Sequence, residues 1–155
     1  MLLAGTGYNP TRDFTARRIA AYREHGIGYR WGYTFEDLSP AFRATPMAHF
    51  FADMFAERNA YADVQSIIYQ FEALAQPIAE DHYARISCPT LILTGSEDAS
   101  HPRAAPLQAR IPKCEMKILY GAGHACHIEQ PWLFDRYMLE FLKKHDLFPG
   151  TVPHG

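Results

Sequence analysis

The spacing of apolar residues divides the chain into a helical first half and a second half in which strands and helices alternate. Between residues 11 and 85, apolar positions recur every three or four residues, which is the spacing of one helix face. The predicted starts are Asp13, Thr45–Pro46 and Asp63, because a capping side chain or an early proline favours a helix N-terminus. Gly26 and Pro77 are the predicted stops of the first and third helices. The stretch 26–39, rich in glycine and aromatic residues, is predicted to be a loop.

After residue 85 the apolar period changes. Thr90–Thr94 is a short continuous apolar run, typical of a strand that is buried on both faces of a parallel sheet. Glu115–Tyr120 is predicted to be a second strand, with a crossover helix within residues 102–111. Pro131 begins a last helix, whose predicted apolar face is Phe134, Met138, Phe141 and Leu142. Together with a strand stub near Leu2–Ala4, this order predicts the α/β class.

Composition narrows the classes of protein to which the chain can belong. Its 155 residues are 48% hydrophobic and 21% charged, with a net charge of −2, which indicates one globular domain and excludes a disordered or collagen-like chain. We expect no nucleic-acid partner, since phosphate binding needs a basic face, and no membrane span, since the apolar runs are short. Three sparse cysteines predict reduced thiols and a cytoplasmic location.

Two loops that follow predicted strands carry residues suited to acid–base chemistry. Asp98 lies in the first loop and His124 in the second. In open parallel sheets, catalytic groups collect at the carboxyl ends of the strands. Histidine has an unperturbed pKa near ~6.5, so it can activate a hydroxyl nucleophile, and a carboxylate on its other ring nitrogen fixes its tautomer.

The motifs around these two residues resemble those of the α/β-hydrolase family. Gly95-x-x-Asp98 with Pro102 resembles its loop for the triad acid, and Gly121-x-Gly-His124 followed by Glu129-x-Pro131 resembles its histidine loop. The resemblance implies a partial α/β-hydrolase fold, in which a helical lid is followed by the last two parallel strands and the C-terminal helix. The implied divisions are a remnant of a core strand (1–10), the lid (11–85), the C-terminal part of the core (86–148) and a tail (149–155).

The resemblance also implies a hydrolase that cleaves an ester, a lactone or a C–C bond of a small carbonyl substrate, without a cofactor or a metal. Asp98 and His124 would be its acid–base pair. The family's Gly-x-Ser-x-Gly elbow is absent, because no serine of the chain has glycines two residues before and after it. We therefore expect that the 155 residues are not active alone. The alternative is a catalytically inactive truncated fragment, or a module that works by association, with a homo-oligomer formed through an exposed sheet edge.

Several residues have two interpretations at this stage. Asp98 alone is typical of a helix cap, and His124 alone of a surface loop. The cluster of His124, Cys126, His127 and Glu129 is too tightly spaced for the usual zinc patterns, so we predict no metal site. The residues predicted to line a substrate pocket are Tyr8, Trp31, Tyr33, Phe50 and Phe51. The residues interpreted as a solvated helix face, with anionic substrate binding as the alternative, are Arg12, Arg17, Arg18 and Arg23. Cys88 and Cys126 are interpreted as small buried residues.

Overall fold

A computed structural model describes residues 1–4, 12–76 and 79–147. Its sheet has three parallel strands, β1 (Leu2–Ala4), β2 (Thr90–Gly95) and β3 (Cys114–Leu119), in the order β1-β2-β3. The central strand β2 is buried along its whole length because β1 and β3 pair with its edges and helices cover its faces. The two strands predicted after residue 85 are confirmed within one residue at each end.

Helices occupy most of the described chain between the strands. The segment between β1 and β2 contains α1 (Arg12–His25), a 3₁₀ turn (Gly26–Gly28), α2 (Tyr29–Glu36), α3 (Pro40–Arg43), α4 (Pro46–Asn59), α5 (Val64–Leu74) and α6 (Glu80–Ala84). The second half contains a 3₁₀ turn (His101–Arg103), α7 (Ala104–Gln108), α8 (Cys126–Glu129) and α9 (Pro131–Lys144). Within the described ranges, no helix combines the length and the apolar character that crossing a membrane requires.

Most of the predicted helix signals are confirmed. Thr45 precedes α4 with Pro46 in its first turn, and the Asp63 carboxylate accepts hydrogen bonds from the backbone N–H groups of Gln65 and Ser66. Gly26 ends α1 with a φ of +60°, a left-handed conformation that favours glycine. The prediction for Asp13 is wrong by one position, because α1 begins at Arg12 and Asp13 lies in its first turn. Pro77 and the tail after Leu147 lie outside the described residues.

The prediction of a loop over residues 26–39 is wrong for most of its length. The chain is helical from Gly26 to Glu36, in the 3₁₀ turn and α2. Tyr29 and Tyr33 pack into one core with α1 and α5, and Phe35 packs into a second core with α4. Burial of these aromatic rings at helical spacing outweighs the low helix propensity of the glycines.

Two apolar clusters lie on opposite faces of the sheet. Leu91 and Leu93 of β2 pack with Phe141 of α9 on one face, and Ile92 packs with Leu107 of α7 on the other. This alternation follows from the period of two along a strand. The predicted apolar face of α9 is confirmed. A further cluster joins Leu38 and the apolar face of α4 to Ala125, so the helical segment packs directly against the loop that carries His124.

Candidate active site

The loops after β2 and β3 meet at the carboxyl edge of the sheet. The two strands are parallel neighbours, so their ends coincide in register, with Gly95 beside Leu119. A Cβ atom on Gly95 would lie 2.2 Å from the carbonyl oxygen of Ala122, so only glycine allows this approach. The Glu97 N–H donates to that same carbonyl at 2.9 Å. The close contact of the two loops brings Asp98 and His124 together.

Asp98 and His124 form a hydrogen-bonded pair. The distance between Asp98 Oδ2 and His124 Nδ1 is 3.0 Å. The Asp98 side chain is 3% exposed, whereas that of His124 is 50% exposed. Ser100 donates to the same carboxylate from its backbone N–H and its hydroxyl, both at 2.7 Å. The carboxylate is thus buried and fully engaged, while the imidazole is accessible from one side.

Both pKa values follow from this arrangement. Burial alone would raise the pKa of Asp98, but the hydrogen bonds from His124 and from the Ser100 backbone hold it below its usual range. The hydrogen bond that His124 donates to Asp98 raises the pKa of His124, against the opposing effect of burial. Because Nδ1 donates to Asp98, Nε2 is the ring nitrogen left to accept a proton.

A second carboxylate, Asp37 at the end of α2, lies close to this pair. Its backbone carbonyl accepts a hydrogen bond from the His124 N–H at 2.8 Å. Burial raises the pKa of the Asp37 carboxyl to about 6, although Arg18 and His124 oppose the shift. Arg18 Nη2 lies 3.5 Å from Asp37 Oδ1, and the Arg18 side chain is only 13% exposed. The solvated-face interpretation is therefore wrong for Arg18, since this pairing and the Tyr33 ring 3.7 Å away hold it inside the fold.

Glu129 links the histidine loop to the helical segment. Its carboxylate accepts hydrogen bonds from the Gly123 N–H at 3.0 Å and from the Ser39 N–H at 3.2 Å. A Cβ atom on Gly123 would lie 2.5 Å from the Ser39 nitrogen and 2.7 Å from the Asp37 carbonyl oxygen. The backbone on either side of His124 is thus fixed against residues 37–39.

The imidazole faces a cavity of about 250 Å³ between α2, α4 and the histidine loop. This volume lies at the small end of the range for small-molecule sites, ~300–1,000 Å³. Burial lowers the pKa of His127, and it raises that of Tyr33 to about 12. The lining residues are Arg30, Tyr33, Thr34, Asp37, Phe51, Phe55, His124, Ala125 and His127.

The five residues predicted to line a pocket have different positions. Tyr33 and Phe51 line this cavity. Phe50, one position along α4, is 63% exposed and points away from the Phe51 side of the helix. The Trp31 Nε1–H donates to Asp53 Oδ1 at 2.7 Å, and the indole stacks on Phe35, outside the cavity lining that the described residues form. Tyr8 lies outside the described residues.

The cysteines and the tight His/Cys/Glu cluster do not form a ligand set. Cys126 is buried, and burial raises the pKa of its thiol to about 11. Cys88 is exposed, so the prediction that it is a small buried residue is wrong. The Glu129 carboxylate is occupied by backbone N–H groups. In the described ranges, no group of three or more His, Cys, Asp or Glu side chains is placed to hold a metal ion.

Two residues near His124 were missed from the sequence, Arg30 and Asp37. Together with Tyr33 they follow the spacing i, i+3 and i+7 along α2 and its C-cap. This helical spacing was the available signal, and the prediction of a loop for residues 26–39 concealed it.

The comparison that decides the family is the match of residues 2–134 to the model of the alpha/beta hydrolase family. The chain belongs to the alpha/beta hydrolase family. Its structure is similar to an esterase from Exiguobacterium antarcticum (17% identity, TM-score 0.78), covering 92% of this chain and 56% of that one. An enol-lactonase from Burkholderia xenovorans LB400 is also similar (16% identity, TM-score 0.76), with coverage of 88% and 53%. The likenesses at these identities show the fold.

The alpha/beta hydrolase chain described here spans about half the length of these solved relatives. A thermophilic esterase from Thermogutta terrifontis is a further example, at 22% identity and a TM-score of 0.70, with 90% of this chain and 53% of that chain covered. Sequence matches to curated proteins of Rattus norvegicus and Escherichia coli cover 40% and 50% of this chain, and 30% of each of those proteins. The fold is therefore a partial alpha/beta hydrolase fold.

Proposed function

We propose that this chain supplies the acid–base half of the active site of a hydrolase for a small ester, lactone or related carbonyl substrate. The observation that supports it best is the 3.0 Å contact between Asp98 Oδ2 and His124 Nδ1, at the ends of adjacent parallel strands. A buried carboxylate orients a half-exposed imidazole beside a small cavity. This is the geometry that a hydroxyl nucleophile requires of its base.

In the proposed mechanism, His124 Nε2 removes the proton of the nucleophile hydroxyl as its oxygen attacks the carbonyl carbon. The imidazolium then gives this proton to the leaving oxygen as the acyl bond breaks. Water then attacks the acyl carbon while His124 takes its proton. The imidazolium gives that proton to the nucleophile oxygen as the acyl–oxygen bond breaks, which releases the acid product and restores the nucleophile hydroxyl and the neutral imidazole. Asp98 stabilises the imidazolium and holds the tautomer, and it stays ionised throughout.

The nucleophile in this proposal comes from a segment outside these 155 residues. The coverage of about half of each solved relative supports this, as does the absence of Gly-x-Ser-x-Gly from the sequence. The helical segment, residues 12–84, acts as the lid above the site, because α2 and α4 contribute Tyr33 and Phe51 to the cavity that contains His124.

Two measurements test the proposal. A fluorophosphonate probe should leave this chain unlabelled, and labelling that is lost on changing one serine would overturn the outside-nucleophile assignment.

If the upstream DNA encodes an elbow in frame, the longer chain should hydrolyse short esters. There, His124→Ala should lower kcat by about three orders of magnitude or more. His25→Ala, which changes an exposed histidine in α1, is the control; equal rates for the two variants would contradict the base assignment.

The alternative, a catalytically inactive module that works by association, is favoured by one observation. β1 and β3 each pair with β2 alone in the described part of the chain, and Leu2 is 42% exposed. An open strand edge is a template for pairing with another chain. Sedimentation velocity would distinguish the two proposals: a concentration-dependent oligomer with no gain of activity in the longer chain supports the module.

A further inference from the structure

The cavity beside His124 contains a cation, Arg30, that forms no ion pair within the described part of the chain. Arg30 of α2 lines the cavity, and none of the described carboxylates lies within ion-pair distance of its guanidinium. Its hydrogen bond is from Nη1 to the Tyr22 hydroxyl, at 3.3 Å, and its shielded Nε has no acceptor. A guanidinium has five N–H donors, so most of the hydrogen-bonding capacity of Arg30 is unused.

The other ionisable groups near the cavity have partners of their own. Arg18 pairs with Asp37 at 3.5 Å, and Asp98 pairs with His124 at 3.0 Å. His127 favours its neutral form, since burial lowers its pKa. Among the described residues, Arg30 is therefore the charged residue of the lining that has no oppositely charged group within ion-pair distance.

Packing holds the Arg30 guanidinium in place. Its Cζ atom lies 5.5 Å from the centre of the Tyr33 ring and 5.1 Å from that of Phe55. Both rings line the same cavity as His124, which lies on a different element, the loop after β3. A cation held between two rings is oriented before any ligand arrives, which lowers the entropic cost of binding.

We propose that the substrate carries a carboxylate group that binds Arg30 while its ester or lactone carbonyl lies at His124. This inference rests on the proposed function and narrows its substrate class to short-chain acidic esters or lactones. The planar guanidinium fits a carboxylate, and a single guanidinium without an ion-pair partner matches a monoanion better than a phosphate dianion. The cavity of about 250 Å³ limits the spacer between the two groups to a few carbon atoms.

The test is a binding measurement on this chain, and it needs no turnover. Monomethyl glutarate and its neutral analogue dimethyl glutarate would be titrated at pH 7.5 in a carboxylate-free buffer. The histidine ring signals in NMR spectra are the readout, because His124 and His127 line the cavity. The monoester should bind at least ten-fold more tightly than the diester. The proposal would be overturned if the two esters bound with equal affinity, if neither ester shifted the histidine signals, or if inorganic phosphate bound more tightly than the monoester.

Substitutions of Arg30 test whether this residue causes the tighter binding of the monoester. Arg30→Met keeps the aliphatic stem and should weaken monoester binding at least ten-fold, while Arg30→Lys should give an intermediate loss because it lacks the planar fork. Arg58→Met, which removes an exposed arginine from α4, is the matched control and should change nothing. Unchanged monoester affinity in Arg30→Met would also overturn the proposal. If Arg30→Met fails to fold, the comparison of the two esters on the unaltered chain still decides.

Failure of this inference is distinguishable from failure of the proposed function. If the monoester binds no more tightly than the diester but the longer chain still hydrolyses neutral esters, only the carboxylate subsite is wrong. If the monoester binds selectively but His124→Ala does not change turnover, only the base assignment is wrong.

Discussion

Asp98 keeps a charged carboxylate where only 3% of its side chain is exposed. Burying a charge is costly unless hydrogen bonds replace the lost water. Here the Ser100 N–H, the Ser100 hydroxyl and His124 Nδ1–H replace it. The hydrogen bond between Asp98 and His124 therefore contributes both to the ionised state of Asp98 and to the raised pKa of His124.

Asp98→Asn should lower the pKa of His124, because it removes both the charge and the strongest acceptor of Nδ1–H. The fall follows because the hydrogen bond to Asp98 and the negative charge of Asp98 both raise this pKa. An NMR titration of the imidazole measures it directly on this chain. Glu97→Gln, one residue away on an exposed side chain, should leave the His124 pKa unchanged. An unaltered pKa in Asp98→Asn would contradict the pairing.

The conformation of the histidine loop requires that residue 123 has no Cβ atom, and Gly123 meets this requirement. The space for its Cβ is occupied by the Ser39 nitrogen at 2.5 Å, the Asp37 carbonyl oxygen at 2.7 Å and Glu129 Oε1 at 2.8 Å. Two of these are backbone atoms, which cannot move away as a flexible side chain would.

Gly123→Ala should therefore lower the free energy of unfolding, by about 1–3 kcal/mol or more, as overpacking does. Urea denaturation is the measurement. Gly32→Ala is the matched control, because its Cβ would meet nothing within 4 Å and alanine favours the helix α2. Equal stability of the two variants would show that the close approach at Gly123 does not affect the free energy of unfolding.

At the scale of elements, the short helix α8 positions the histidine loop through Glu129. One carboxylate accepts from Gly123 in the loop and from Ser39, the N-cap residue of α3. Ser39 is buried, so water does not readily replace a lost acceptor there. Glu129 thus joins two elements that are distant in sequence and adjacent at the site.

Glu129→Ala should destabilise the fold by about 1–3 kcal/mol, because two buried N–H groups lose their acceptor. Hydrogen exchange at the Ser39 and Gly123 amides should accelerate more than exchange in β2. Glu140→Ala, which breaks an exposed pair with Arg136, is the control and should cost less than ~0.5 kcal/mol. Unchanged exchange at both amides in Glu129→Ala would contradict this role.

An element could be predicted from the sequence where its local signals agree with its packing. Strands β2 and β3, the starts of α4 and α5 and the apolar face of α9 were predictable, because local signals such as Thr45–Pro46 agree with tertiary packing. Helix α2 was not, because its glycines indicate a loop and only packing of Tyr33 and Phe35 stabilises a helix there. Asp98 and His124 were found from motifs, whereas Arg30 and Asp37 depended on this unpredicted helix.

At the scale of the whole molecule, the site lies where two separately packed parts meet. The sheet with α7 and α9 has its own clusters, and the helical segment has others. They join through the apolar contact of Leu38 with Ala125 and through the hydrogen bond that the His124 backbone N–H donates to the Asp37 carbonyl. The carboxyl of Asp37 lies at this junction, so its protonation affects the stability of the complete chain.

Asp37 should make that stability depend on pH. Its folded-state pKa of about 6 exceeds the ordinary value of 3.8, so between these values the folded state binds more protons than the unfolded state. The carboxyl therefore contributes less stability as pH rises through this window, by at most ~3 kcal/mol in total. The groups that limit this loss are Arg18 and His124, while Asp98 and Glu36 increase it.

Asp37→Asn removes the titration while keeping the backbone carbonyl that accepts from His124. Relative to the unaltered chain, the variant should therefore gain stability between pH 4 and pH 7.5. Urea denaturation at these two pH values measures the change. Asp135→Asn, on an exposed side chain of α9, should follow the unaltered chain at both pH values. If the stability difference for Asp37→Asn is constant with pH, or moves in the opposite direction, then Arg18 fully compensates the charge and the junction carries no buried, uncompensated carboxylate.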